Sequence, residues 1–192
     1  GYKFRIGVPF EVADGRLART VSLRNYEGKR MLVINSFTDK PVQFAAPAGF
    51  VTASSEAADF YFYVPDDWTV DYSTAAAGAY FSAADPSSVS VMAWELEYTD
   101  TTVDEWWELN QSEIESVFQN FNLESSENMT INDLYAKKYT YTATLGDFDY
   151  KIMQAACVKN STVYLFTYTS LPENFDEHTD EVNQMLDFLI IK

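Results

Sequence analysis

The sequence predicts an α+β domain built as a three-layer α/β/α sandwich around a mostly antiparallel sheet. Short runs rich in β-branched and aromatic residues follow one another between turn residues, as in an antiparallel meander. Two segments with helical periodicity, one in the middle of the chain and one at its end, supply layers that would cover both faces of the sheet. We place this domain at residues 46–192 and treat residues 1–45 as an N-terminal extension.

The extension is predicted to hold short strands that form a small hairpin unit. The runs "YKFRIGVPF", "RTVSLRN" and "RMLVINSF" have strand composition and are separated by Asp14-Gly15 and Glu27-Gly28, which favour turns. Residues 45–58 are small and polar with Pro and Gly, a composition typical of a linker. We therefore expect the domain proper to begin near Phe50.

The strands of the domain differ in how much covering they require. We predict strands at residues 59–64, 68–72, 78–85, 88–98, 138–145, 151–158 and 162–169. The strands at 88–98, 151–158 and 162–169 carry apolar residues on both sides, so we expect both of their faces to be covered. The strand at 138–145 alternates Tyr139, Tyr141, Ala143 and Leu145 with threonines, which predicts a half-exposed strand near an edge.

Two helices are predicted to provide the covers. Thr102 and Glu105 form a capping box, followed by apolar residues at helical spacing that only Asn110 interrupts: Val103, Trp106, Trp107, Ile114, Val117, Phe118 and Phe121. The second helix is predicted to start at Ser170, with Pro172 in its first turn and an acidic outer face. It should bury Phe175, Val182, Met185, Leu186 and Leu189.

The stretch "YFYVPDDW" concentrates aromatic residues around a turn. Pro65-Asp66-Asp67 has turn chemistry, and the tyrosines before it read as a strand that feeds both faces of a covered sheet. We expect Phe62 and Trp68 to be buried, with Trp68 closing the end of the sheet beneath a helix. Asp66 and Asp67 should be exposed.

Several segments, taken in their order and spacing, resemble one known family. They are "GF" at 49–50, "FYFYVPDDW" at 60–68, "SVSVMAWEL" at 88–96, the Trp-containing helix, the run from "AKKYTYTATL" to "VYLFTYTS", and the closing "PENFDEHTDEV". The combination resembles the PsbP-like fold family, which contains the photosystem PsbP subunit, a Ran-binding nuclear factor and bacterial secreted lipoproteins. It is most similar to the lipoprotein branch, whose precursors carry a lipidated cysteine upstream. The resemblance implies an extracytoplasmic location. It implies a membrane association only through a lipid anchor upstream of this sequence that has been lost.

Charge and cysteine content narrow the class of partner. The formal net charge is −16, and residues 51–192 hold five Lys/Arg against twenty-five Asp/Glu, whereas residues 1–50 hold eight against four. Such an acidic surface repels phosphate backbones, so we expect no nucleic-acid partner. The single cysteine excludes an internal disulfide, and no apolar run is long enough to span a bilayer. Because the chain begins with Gly1 rather than Met, we expect either that a preceding segment was removed or that a residue of a cleaved tag remains.

Catalytic and metal-binding residues are scarce. We expect His178, the one histidine, to be a solvated or half-buried helix residue, and Cys157, inside a strand, to belong to the core rather than to act as a nucleophile. One histidine and one cysteine are too few for a common zinc site. The acidic clusters Asp66-Asp67, Asp147 with Asp149, and Asp176-Glu177 with Asp180-Glu181 lack a calcium-loop pattern, so we expect solvated acidic surface and no cofactor. Of the tyrosines, Tyr61, Tyr63, Tyr135 and Tyr150 either pack under the helices or serve recognition at the surface.

These observations favour a non-catalytic extracytoplasmic domain, anchored at the cell surface or secreted, that binds a protein or small ligand. The alternative is a carbohydrate- or cation-binding module that uses surface aromatics or acidic clusters. A third hypothesis is an enzyme that uses His178 with neighbouring carboxylates, and an exposed His178 without a pocket would remove it.

Overall fold

The computed structural model describes the secondary structure of residues 10–11, 17–26, 29–38, 46–73, 76–98 and 100–192, and side chains from residue 46 onward within these ranges. Contacts between residues divide the chain into two units, Gly1–Ala45 and Ala46–Lys192. The assignment of these units as separate domains stays a prediction. Within the described ranges, no helix has both the length and the apolar character needed to cross a membrane.

The first unit contains an antiparallel three-stranded sheet in the order β1-β2-β3. Its strands are Phe10–Glu11 (β1), Leu17–Tyr26 (β2) and Lys29–Thr38 (β3). The pairing of Tyr26 with Lys29 joins β2 and β3 as a tight hairpin. Strands near 19–25 and 30–37 are confirmed, whereas nearly all of the predicted strand at 2–10 and both predicted turns lie outside the described residues.

The second unit is built on a seven-stranded sheet in which every neighbouring pair is antiparallel, in the order β10-β11-β12-β13-β9-β8-β7. Two small strand pairs, β4 with β6 and β5 with β14, complete the unit. In chain order the elements are Phe50–Thr52 (β4), Phe60–Tyr61 (β5), Tyr63–Pro65 (β6), Thr69–Asp71 (β7), Ala77–Tyr80 (β8), Ser88–Glu95 (β9), Val103–Val117 (α1), Gln119–Ile131 (β10), Leu134–Leu145 (β11), Phe148–Lys159 (β12), Thr162–Ser170 (β13), Thr179–Asp187 (α2) and Ile190–Ile191 (β14).

Two hydrophobic cores form because the central strands bury residues on alternate sides. In one core, Trp107 of α1 stacks on Tyr139 of β11 with ring centroids 3.5 Å apart. In the other, buried residues of α2 join Phe62 and Phe166, whose rings meet edge to face at 5.9 Å. The predicted α+β class with a mostly antiparallel sheet is confirmed, and the strand at 151–158 is buried on both sides as expected. The strand at 162–169 is buried on the side of Tyr164, Phe166 and Tyr168, whereas on its other side Val163 is buried and Leu165 is half-buried.

The end of α1 differs from the prediction. The helix ends at Val117, whose side chain is 67% exposed. The backbone N–H of Phe118 donates to the carbonyl of Ile114 and completes the last turn. Strand β10 then begins at Gln119, so the expected continuation of the helical stripe to Phe121 is wrong. The interruption at Asn110 has a local cause, because its side chain donates to the carbonyl of Trp106 one turn earlier.

Three further predictions need correction. The single strand expected at 59–64 is two strands in different small sheets, because the N–H of Phe62 donates to Ser54 Oγ while its carbonyl accepts from Ala53. The strand at 88–98 ends at Glu95, and Met92 is 51% exposed, so its second face is only partly covered. Leu145, expected on the buried face of its strand, is half exposed.

The C-terminal helix is shorter than predicted, although its core is correct. It begins at Thr179 rather than Ser170, and a 3₁₀ turn at Phe175–Glu177 precedes it. All five residues expected in its core are buried: Phe175, Val182, Met185, Leu186 and Leu189. The predictions for the Pro65-Asp66-Asp67 turn are confirmed as well, with Phe62 and Trp68 buried and both aspartates exposed.

Candidate functional site

His178 is buried, which contradicts the expectation of a solvated or half-buried residue. It precedes α2 at the N-cap position, and only 8% of its side chain is exposed. The rings of Phe81 and Trp68 cover it at centroid distances of 4.3 and 5.5 Å. No sequence pattern indicates this cover, because these aromatic residues come from a part of the chain far from the last helix.

A carboxylate from a distant loop pairs with the buried histidine. Nε2 of His178 donates to Asp85 Oδ2 at 2.7 Å, and Nδ1 lies 3.5 Å from Glu181 Oε2, which also accepts from Trp68 Nε1 at 3.0 Å. Asp85 Oδ1 accepts from the backbone N–H and the hydroxyl of Ser87 at 3.0 and 2.7 Å. We call Asp85, Ser87, His178 and Glu181 the Asp85 clasp, since they join the β8–β9 loop to the start of α2.

The charge state of Asp85 follows from this surrounding. Burial of the carboxyl raises its pKa, but hydrogen bonds from Ser87, His178 and the side chain of Asn174 outweigh burial and hold the pKa well below its usual range. In the sequence, Asp85 is only the last residue of the predicted strand at 78–85. The available signal was Asp85-Pro86-Ser87, a pattern in which an aspartate accepts from the N–H two residues later.

The clasp contains serine, histidine and aspartate, but not in the geometry of a catalytic triad. In a triad the histidine lies between the nucleophile and the acid. Here Asp85 lies between Ser87 and His178, and the second contact of the Ser87 hydroxyl is Ser170 Oγ at 2.7 Å. Ser87 is fully buried, so no substrate reaches its hydroxyl. The arrangement fits a structural connection and provides no activated nucleophile.

The same region contains the one group of metal-type ligands found among the described residues. Asp85, Glu177 and His178 offer ligand atoms within 4.8 Å of one another. However, the Asp85 oxygens and His178 Nε2 are already hydrogen-bonded within the clasp, so a cation would have to break those bonds. The donor set therefore does not fit a metal site as it stands.

Cys157 and the remaining acidic clusters show no chemistry of their own. Cys157 is fully buried, and burial raises the pKa of its thiol to about 12, which confirms the expected core position. Asp149 accepts from Thr144, while Glu181 belongs to the clasp rather than to an acidic outer face. Of the four singled-out tyrosines, Tyr63 is buried, Tyr61 and Tyr150 are half-buried, and Tyr135 is exposed.

A cleft lined in part by the middle of β9 is a second candidate site. Its volume is about 490 Å³, and it is lined by residues 53–55, 57–60, 71–72, 76–77 and 91–93. We call it the Tyr72 cleft, because the side chain of Tyr72 is 84% exposed in its lining. Its base consists of core residues, among them Ala77 and Val91, and its wall is rich in alanine.

Local structure explains how the cleft is held open. The segment 53–60 is fixed at one end by the bond of Ser54 to Phe62 N and at the other by Lys192, whose ammonium donates to Ala58 O. Across the cleft, Asp71 Oδ1 accepts from Ser73 N at 2.8 Å, an Asx turn that ends β7 beside Tyr72. Small side chains on facing walls leave the volume unfilled.

Two other cavities of similar volume, about 490 and 500 Å³, adjoin the start of α1. They share Asp100 and Thr101 and are lined mainly by polar or exposed residues. Four core residues line the Tyr72 cleft, namely Ala53, Phe60, Ala77 and Val91, whereas Val103 is the one core residue in the lining described for the other two cavities. A base of core residues is typical of ligand sites.

Strand order and helix packing define the class of the second unit: it has the PsbP-like fold. The solution structure of cyanobacterial PsbP (CyanoP) from Synechocystis sp. PCC 6803 matches at a TM-score of 0.53 and 11% identity, over 80% of this chain and 98% of that chain. LpqN of Mycobacterium tuberculosis, which is involved in cell envelope biogenesis, matches at a TM-score of 0.56 and 16% identity, over 69% of this chain and 83% of that chain. The Ran-binding protein Mog1p of Saccharomyces cerevisiae matches at a TM-score of 0.51 and 8% identity, over 74% of this chain and 95% of that chain.

These identities are low enough that the likeness shows the fold alone. No protein-family model matches the sequence, and no curated protein sequence matches it.

Proposed function

We propose that residues 46–192 form a non-catalytic binding domain whose ligand enters the Tyr72 cleft. The observation that carries this proposal is a cleft of about 490 Å³ with a base of core residues and a few polar side chains. Volumes of this size and linings of this composition are typical of sites for small ligands or for a side chain of a protein partner.

The state of the reactive side chains supports a non-catalytic role. Ser87 and Cys157 are buried, and His178 and Asp85 satisfy each other inside the clasp. The enzyme hypothesis required His178 to act on a substrate, which none of these contacts favours. Mog1p, which shares the fold, is a Ran-binding protein, so a relative of this fold acts by binding.

We further propose that the protein is extracytoplasmic and held at the cell surface by a lipid anchor or secreted. LpqN, which shares the fold, is involved in cell envelope biogenesis. The encoded sequence upstream of Gly1 tests this part. A signal peptide with a lipidated cysteine supports it, whereas a start codon without either contradicts it.

The same proposal includes the finer architecture. The two cores, one containing α1 and the other α2, support a three-layer α/β/α sandwich with the sheet as the middle layer. Residues 1–45 are proposed as a separate extension that contributes the small sheet β1–β3.

The binding function can be tested with a fragment library and two matched variants. Ala57→Trp places an indole in the cleft from an exposed lining position, whereas Ala48→Trp adds the same group at an exposed position outside it. We expect fragments to shift backbone amide resonances of residues 53–60, 71–77 and 91–93. The shifts should persist in Ala48→Trp and disappear in Ala57→Trp. Absence of any fragment that shifts these amides contradicts the proposal.

The exposed aromatic ring favours one second candidate, a carbohydrate-binding module. An exposed tyrosine such as Tyr72 can stack on a sugar ring, and Tyr98 and Tyr135 are also exposed. Calorimetry with a glycan panel and with Ca²⁺ separates this candidate and its cation-binding form from the main proposal. Heat from a glycan that Tyr72→Ala removes supports the module, and no heat from either removes it.

A further inference from the structure

The ionisable groups in the lining of the Tyr72 cleft are of one kind. Asp59 and Asp71, both carboxylates, are the described lining residues that carry a charge at neutral pH, and none of the described lining residues is a lysine, arginine or histidine. The ammonium of Lys192, which is not a lining residue, is already bound to the carbonyl of Ala58. We propose that the cleft selects a small organic cation, an alkylammonium or guanidinium group on a short apolar chain. This inference rests on the proposed binding function and specifies the chemistry of its ligand.

Asp71 is held as a charged acceptor. Its Oδ1 accepts from Ser73 N at 2.8 Å, which fixes the carboxylate at the end of β7. Hydrogen bonds from the side chain and backbone of Ser73 lower the pKa of Asp71, so the carboxylate is ionised at neutral pH. Asp59, in the lining segment 53–60, is exposed, and its backbone carbonyl accepts from Lys192 N.

Tyr72 supplies the second element of cation recognition. Tyr72 is the next residue in the chain after Asp71, and 84% of its side chain is exposed. A cation above a tyrosine face is attracted by the ring quadrupole, and an adjacent carboxylate strengthens the preference for positive charge. Alanines 53, 57 and 58 leave room beside these groups for an alkyl chain.

The charge of the surrounding chain favours the same ligand class. Residues 51–192 contain five Lys/Arg against twenty-five Asp/Glu, so the field near the cleft attracts cations and repels anions. An organic cation fits better than a bare metal ion, because apolar core residues rather than further oxygen ligands form the base of the cleft.

A series of three probes tests the selectivity. Butylammonium, butan-1-ol and butyrate share a four-carbon chain and differ in charge. We expect butylammonium to shift the amide resonances of residues 53–60, 71–77 and 91–93, with butan-1-ol at least about threefold weaker and butyrate without effect. Raising the salt concentration should weaken only the butylammonium shifts.

Variants identify the groups responsible. Asp71→Asn and Asp59→Asn should each weaken butylammonium binding about two- to fivefold, and Tyr72→Ala by a similar factor. Binding of butan-1-ol should change little in the two Asn variants. Asp147→Asn, which neutralises an exposed carboxylate in the β11–β12 turn, is the matched control and should bind butylammonium as the wild type does.

The outcomes separate this inference from the binding function itself. If butan-1-ol or butyrate binds as tightly as butylammonium, charge selection is wrong while the cleft remains a binding site. If butylammonium shifts no cleft amide but library fragments do, the ligand class is again wrong and the site stands. If neither butylammonium nor any fragment shifts the cleft amides, both proposals are overturned.

Discussion

The Asp85 clasp provides a sharp test of how the PsbP-like domain is stabilised. We predict that Asp85→Ala lowers the free energy of unfolding by about 3–4 kcal/mol. The carboxylate accepts from Ser87 N and Oγ, from His178 Nε2 and from the side chain of Asn174. Hydrogen bonds to a charged group contribute about 1.5–3 kcal/mol each and do not add fully, because the groups form one network.

Burial decides the size of this effect. The side chains of Asp85 and His178 are 13% and 8% exposed, so water can replace few of the lost bonds. Removing the aspartate takes the acceptor away from His178 Nε2 beneath the rings of Phe81 and Trp68, and leaves the buried Ser87 hydroxyl with its contact to Ser170 Oγ. Breaking a buried pair from one side typically costs about 3–5 kcal/mol, whereas an exposed pair costs less than about 1 kcal/mol.

Urea unfolding followed by circular dichroism measures the effect. The midpoint should fall without a change in the slope, since the surface exposed on unfolding stays the same. Asp66→Ala is the control, because this exposed aspartate should change stability by no more than about 0.5 kcal/mol. A double-mutant cycle of Asp85→Ala with His178→Ala should show a coupling above about 1 kcal/mol. A loss in Asp85→Ala no larger than in Asp66→Ala would refute the structural role of the clasp.

Three further predictions concern the pH dependence of the clasp, the reactivity of Cys157 and the packing of Trp107. The clasp lowers the pKa of Asp85, so the stability that the ionised carboxylate contributes is complete above the unfolded carboxyl pKa of about 4 and is lost as the pH falls below it. In acid titrations, the stability difference between wild type and Asp85→Asn should therefore shrink below about pH 4. A difference that stays constant contradicts this prediction. Cys157, with a thiol pKa of about 12, should react with a thiol reagent at least about a thousandfold more slowly in the native protein than in urea, and equal rates would contradict its burial. Trp107→Ala should cost about 3–5 kcal/mol through loss of the stack on Tyr139, while Leu109→Ala, at a 68% exposed position of the same helix, should cost no more than about 0.5 kcal/mol in urea unfolding.

The fold could be predicted because its signals are local. The helical spacing of apolar residues around Trp106 and Trp107 predicts one buried helix face. Apolar residues on both sides of strands such as 151–158 indicate that both faces of the sheet are covered there. Strand β10 escaped prediction because it is a polar edge strand in which only scattered positions are half-buried, so it lacks period-two alternation. Register shifts after Gln119 and Leu123 weaken the pattern further.

The site could not be predicted because its residues meet only in three dimensions. Asp85 and His178 are 93 positions apart, and neither belongs to a motif that demands the other. Alanines, serines and two aspartates make up most of the lining of the Tyr72 cleft and come from three separate segments, and these residue types also occur in ordinary loops. Its volume arises from small side chains facing one another, which a single sequence does not reveal.

A map of ligand-induced amide shifts across the whole domain shows whether the Tyr72 cleft is the binding site. Fragments should shift amides around Asp59, Tyr72 and Val91, and Ala57→Trp should remove these shifts while Ala48→Trp retains them. Shifts that cluster instead around Asp85 and His178, or that are unchanged in Ala57→Trp, would contradict the assignment of the Tyr72 cleft as the binding site.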